Sequence, residues 1–122
     1  MRFTKIIAFV FLLGVTTAPV LAGQSMPEKK VLMSRIVSLP SNRVVAKVIR
    51  IEFPRGFRTP EHIHQGPGPR YVLEGRIRIS DRQGSHLYGP GEVFWETGDP
   101  MVAENAATGV TTLLIFEMAP QR

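Results

Sequence analysis

Glycine and proline recur along this chain at intervals too short for any long helix. The 122 residues include 11 Gly and 10 Pro. They cluster at Leu39-Pro40-Ser41-Asn42, Pro54-Arg55-Gly56, Gln65-Gly66-Pro67-Gly68-Pro69, Asp81-Arg82-Gln83-Gly84, Gly89-Pro90-Gly91 and Gly98-Asp99-Pro100. Either residue weakens a helix interior, and together they punctuate turns. Between the breaks lie runs rich in β-branched and aromatic side chains: Val31–Ser38, Val44–Phe53, Tyr71–Ser80, Ser85–Tyr88, Glu92–Glu96, Met101–Glu104 and Val110–Met118. Short runs at this spacing predict strands of an all-β sandwich or barrel.

The N-terminus follows a different pattern. Arg2 and Lys5 precede ten residues, Ile6 to Val15, without charge or polar side chain; Thr16-Thr17-Ala18-Pro19-Val20-Leu21-Ala22 follows. A positive head, an apolar stretch and a small-residue exit predict a secretory signal peptide over 1–22, cleaved before Gly23. The stretch is shorter than the roughly 20 apolar residues that a membrane span requires. A secreted or periplasmic location follows, with no membrane attachment after cleavage. Residues 23–30 are polar and read as a loose lead-in, leaving 31–122 as one domain. Losing Arg2 and Lys5 lowers the formal net charge from +5 to +3, too little to argue for nucleic acid. The chain has no cysteine, so disulfides cannot compensate for a small core, and an apolar interior has to hold the fold.

Two segments narrow the class. The first, Gly56-Phe-Arg-Thr-Pro-Glu-His62-Ile-His64-Gln-Gly-Pro-Gly68-Pro-Arg-Tyr-Val-Leu-Glu-Gly75, resembles the first motif of the cupin superfamily. The second, Gly91-Glu-Val-Phe-Trp95-Glu-Thr-Gly98-Asp-Pro-Met101-Val-Ala-Glu-Asn105, is similar to the second motif. The resemblance implies an all-β fold, a cupin-type jelly-roll antiparallel β-barrel, whose mouth holds a metal or an organic ligand. In that family two histidines and a glutamate of the first motif, with a histidine of the second, bind a divalent metal. Only His62 and His64 match. The glutamate slot falls on Gly68, and the last histidine slot falls on Met101, or on Val102 if no residue is missing near Glu96–Thr97.

Alternation along a strand places His62 and His64 on one face and Glu61 on the other. Two imidazoles make a weak site for a cation that usually takes three or four protein ligands. The pair therefore reads either as metal ligands or as hydrogen-bonded histidines lining a pocket. Met101 reads either as a flexible apolar plug or as a third ligand, in a His62–His64–Met101 site that suits cuprous copper. Copper or another divalent ion, weakly held or absent, is the cofactor expectation. Tyr71 and Trp95 are candidates for the pocket wall beside His62, His64 and Met101. His86 reads as a surface residue, and Glu61, Glu92, Glu96 and Glu104 read as solvated. The expected function is binding of a small molecule or a soft metal in the barrel mouth. The alternative is a metal-dependent enzyme of dioxygenase or isomerase type, so catalysis stays open. A homodimer joined at sheet edges is compatible with both.

Overall fold

The computed structural model describes residues 27–39 and 41–121; the expected signal peptide lies outside the described residues, as do 23–26 of the lead-in. Among the described residues there are seven strands and no helix. They are β1 (Val44–Phe53), β2 (Gly68–Glu74), β3 (Ile77–Asp81), β4 (Gly84–Tyr88), β5 (Val93–Glu96), β6 (Val102–Asn105) and β7 (Thr111–Pro120). All pairings are antiparallel. One sheet has the order β1-β7-β2-β5 and the other β4-β3-β6, so consecutive strands repeatedly change sheet, as in a jelly roll.

Six of the seven expected runs match strands to within a few residues, with one split. The run Tyr71–Ser80 divides at Gly75 into β2 and β3, which belong to different sheets. Gly75 has φ +77°, and a Cβ there would collide with the Thr111 backbone and side chain, so this crossing needs glycine. The seventh run is a correction. Residues 31–38 form no strand and join no ladder. Instead Val31, Leu32 and Met33 line an outer groove together with Tyr71, Leu114 and Phe116, so the segment lies on a sheet face rather than beside an edge.

The core between the sheets is built by alternation. Val72, Ile77, Phe94, Leu113 and Ile115 turn inward, and each is under 9% exposed. Asn105 ties three elements together at one end. Its Nδ2 donates to the carbonyls of Phe53, Pro54 and Gly109 at 2.9, 2.9 and 2.8 Å. Its Oδ1 accepts from the Ala107 N–H and the Thr111 hydroxyl at 2.8 and 2.7 Å. These bonds satisfy an otherwise costly buried amide and fix the end of β6 against β1 and β7.

Candidate binding site

The loop from Phe57 to His64 is laid along β6 by backbone bonds. The Asn105 N–H donates to the Phe57 carbonyl, and the Thr59 N–H to the Ala103 carbonyl, both at 2.9 Å. His62 and Met101 then exchange both N–H···O bonds at 3.0 Å. The Arg58–Glu104 and His62–Met101 bridges differ by one residue in register, a slip that sets His62 opposite Met101 rather than Pro100. Directly opposed residues share a face, so Met101 projects to the same side as His62. Met101 is buried while Val102 alternates away from it, which decides between the two positions that the sequence left open. Glu61 and Ile63 are exposed, on the side away from the histidines.

His62, His64 and Met101 all line a cavity of about 220 Å³ between the sheets. Phe53, Phe94, Leu113 and Ile115 supply apolar wall. The His62 Nδ1–H donates to the Pro60 carbonyl at 3.0 Å, which leaves a lone pair on Nε2. That Nε2 lies 3.2 Å from Nε2 of His64. The Nδ1 of His64 is 3.5 Å from a carboxylate oxygen of Glu117, and its Nε2 is 3.5 Å from Oε1 of Glu96. A hydrogen bond to one ring nitrogen orients the other, so the Pro60 carbonyl aims the His62 Nε2 at His64.

Arg70 completes the polar end, and nothing in the sequence reading singled it out. The residue is 1% exposed. Its Nη1 donates to the carbonyls of Gly68 and Phe116 at 2.7 and 2.8 Å. Its Nε stands 3.0 Å from Glu96 Oε2, an ion-pair contact without hydrogen-bond alignment. Burial pulls the Arg70 guanidinium below its ordinary pKa, and Glu96 and then Glu117 partly oppose that. Arg70 Nη2 and Glu96 Oε1 are buried with no hydrogen-bond partner.

Three sequence expectations are corrected here. Glu96 is buried, not solvated, because it shares the inward face of β5 with Phe94. Tyr71 lies in the outer groove, not in the cavity wall, because β2 turns Gly68, Arg70 and Val72 inward. Trp95 alternates out between Phe94 and Glu96, and Arg35 stacks over its ring at 5.6 Å. Glu117, like Arg70, was outside the expected site. The period-two pattern of Leu113, Ile115 and Glu117 was the signal that places it inward. His86 is exposed, as expected.

No protein-family model and no curated protein matches the chain. Solved structures do. A cupin domain from Bordetella pertussis is 19% identical with a TM-score of 0.52, covering 66% of this chain and 86% of that one. An RmlC-like cupin family protein with a double-stranded β-helix fold, from Methanocaldococcus jannaschii, is 17% identical with a TM-score of 0.55, covering 78% and 94%. A polyketide cyclase from Streptomyces resistomycificus is 24% identical with a TM-score of 0.55, covering 62% of this chain and 55% of that one, so the chain spans about half of the cyclase. The fold is that of the cupins.

Proposed function

We propose that this cupin-fold chain is an exported binding protein that holds a small, largely apolar molecule between its sheets. The observation that carries the reading is the cavity of about 220 Å³, walled mainly by apolar side chains with a few polar ones, His62, His64, Arg70 and Glu96 among them. Ligand sites typically combine a mainly apolar lining with a few convergent polar groups. An apolar cavity of about 150 Å³ holds benzene, so this one has room for a molecule of roughly ten heavy atoms. Ala103 lines the cavity and is 5% exposed. Filling the space with Ala103→Leu is expected to abolish binding of a small aromatic such as toluene while the protein stays folded; unchanged binding would place the ligand elsewhere. Export is tested by intact mass: the mature protein is expected to start within about two residues of Gly23.

The divalent ion that the first motif implies in its family does not fit these residues. A Cβ at Gly68 would land on the Phe116 carbonyl oxygen, so the carboxylate slot has no room for a side chain. The histidine slot holds a thioether, a poor donor to zinc or ferrous iron. Among the described residues no group of three or more His, Cys, Asp or Glu is arranged to hold a metal ion. A metal-dependent enzyme is therefore the weaker reading, although the fold accommodates catalysts as well as binders. A second reading, a cuprous site on His62, His64 and Met101, is favoured by one observation: the three residues line one cavity, with His62 paired to Met101 and 3.2 Å from His64. Thioether and imidazole suit that soft ion.

A further inference from the structure

β1 is the longest free edge of the two sheets. It ends the order β1-β7-β2-β5 and pairs only with β7, and among the described residues no other backbone group bonds to it. The remaining edges differ. The Phe57–His62 loop bonds along β6, whereas β4 and β5 have only five and four residues. An edge ten residues long presents N–H and C=O groups with which a further strand can pair. Charges on an edge usually oppose such pairing, but those of β1 are engaged within the chain. Lys47 Nζ lies 3.4 Å from Glu117, and Arg50 Nη1 lies 2.6 Å from Glu52. The apolar side chains are the open ones. Val48, opposite Phe116 on the outer face, is 67% exposed. Val45 and Ile49, opposite Ala119 and Ile115 on the inner face, are 42% and 37% exposed.

We propose that β1 is the surface on which two copies of this chain join, β1 against β1, antiparallel about a two-fold axis at Val48. A two-fold joint needs one self-complementary patch, and an antiparallel strand edge is such a patch. Charge and overlap select the register. An axis at Lys47, Arg50 or Glu52 sets like charges directly opposite, which destabilises a pair. An axis at Ala46 or Ile51 overlaps only 44–48 or 49–53 of each strand. An axis at Ile49 overlaps 45–53 but sets Val48 against Arg50. The axis at Val48 overlaps 44–52, joins the two Val48 side chains on the outer face and pairs Val45 with Ile51 on the inner one. Such an overlap is a ladder about 30 Å long. The four-stranded sheets of the two copies then run on as one sheet.

The test uses the mature protein and two kinds of variant. Sedimentation equilibrium is expected to give a dimer for the wild type at about 100 µM, and a monomer for Val48→Lys, which sets like charges on the axis. Val48 is exposed, so the lysine is expected to leave the circular dichroism spectrum unchanged. The chain has no cysteine, so a single engineered one reports contact between copies. Directly opposed residues of antiparallel strands have Cα atoms about 4.5–5.5 Å apart, within disulfide reach. Under mild oxidation, Val48→Cys is expected to form a disulfide-linked dimer at least about tenfold faster than Arg82→Cys, on the exposed β3–β4 turn, because pairing raises the local thiol concentration. This comparison decides the matter even if the lysine variant does not fold. A wild type that is monomeric at about 100 µM overturns the proposal. A dimer that Val48→Lys leaves intact, or equal cross-linking of the two cysteine variants, places the joint elsewhere and overturns it too.

Discussion

Gly68 and Glu96 face each other across the β2–β5 ladder as paired residues, so the carboxylate inside the barrel comes from the strand opposite the slot where the motif implies one. Gly68 cannot carry that carboxylate itself, because the Phe116 carbonyl occupies the space of its Cβ and Arg70 Nη1 stands at 3.2 Å. Glycine here lets β7 approach closely enough for Arg70 to bond the carbonyls of both strands. The expected consequence is that Gly68→Glu does not create a metal site. It should destabilise the fold by about 1–3 kcal/mol, as overpacking does, with no gain in zinc affinity. Urea denaturation and zinc titration of the variant check both halves.

Removing one member of the Arg70–Glu96 pair strands the other in the interior. Glu96→Ala is expected to cost about 3–5 kcal/mol, the usual penalty for an uncompensated buried charge. Replacing both at once, with Arg70→Met and Glu96→Leu, is expected to recover most of that loss. A double-mutant cycle in urea measures the difference.

The cuprous reading has its own discriminating variant. Met101→Leu conserves volume, so its stability cost should stay below about 1.5 kcal/mol. Only if Met101 is a ligand does the change lower cuprous affinity. Met101→His supplies a third imidazole on the same face and is expected to raise zinc affinity at least tenfold, about 1.4 kcal/mol. Titrating the three proteins with Cu(I) and Zn(II) settles the role of the side chain.

Tyr88 contributes to the alkaline behaviour. It stacks on Phe94 with ring centroids 4.7 Å apart, and burial raises its phenol pKa above the ordinary 10.0, helped by Asp81 and then Glu92. The folded state thus holds this proton more tightly than the unfolded chain does. The associated stability is fully present below about pH 10 and is lost as pH rises through the folded-state value. Tyr88→Phe is expected to flatten the decline above that pH, seen in urea midpoints.

The parts of the site that follow strand logic were legible in the sequence. The two-residue spacing of His62 and His64 put both on one face, and the resemblance of Gly91–Asn105 to the second cupin motif pointed to Met101, with Val102 as the alternative. Glu117 was signalled by its period with Leu113 and Ile115, but Arg70 and Glu96 were not legible, because β2 and β5 carry apolar residues on both faces. On β2 the outward Tyr71 meets Val31–Met33 while the inward Arg70 meets Glu96. Where both faces of a strand carry apolar residues, hydrophobic alternation no longer tells inside from outside. Residues 31–38 looked like a strand through their β-branched residues, yet they join no ladder and Val31, Leu32 and Ile36 are exposed.

The most direct test of the small-molecule reading is a toluene titration followed by NMR of the Ile115 and Leu113 methyls and the His62 and His64 rings. The account predicts saturable shifts confined to these cavity groups, with Kd of about 0.1–1 mM. Absence of shifts in water near saturation with toluene, about 5 mM, or shifts confined to Leu32, Tyr71 and Leu114 in the outer groove, would contradict it.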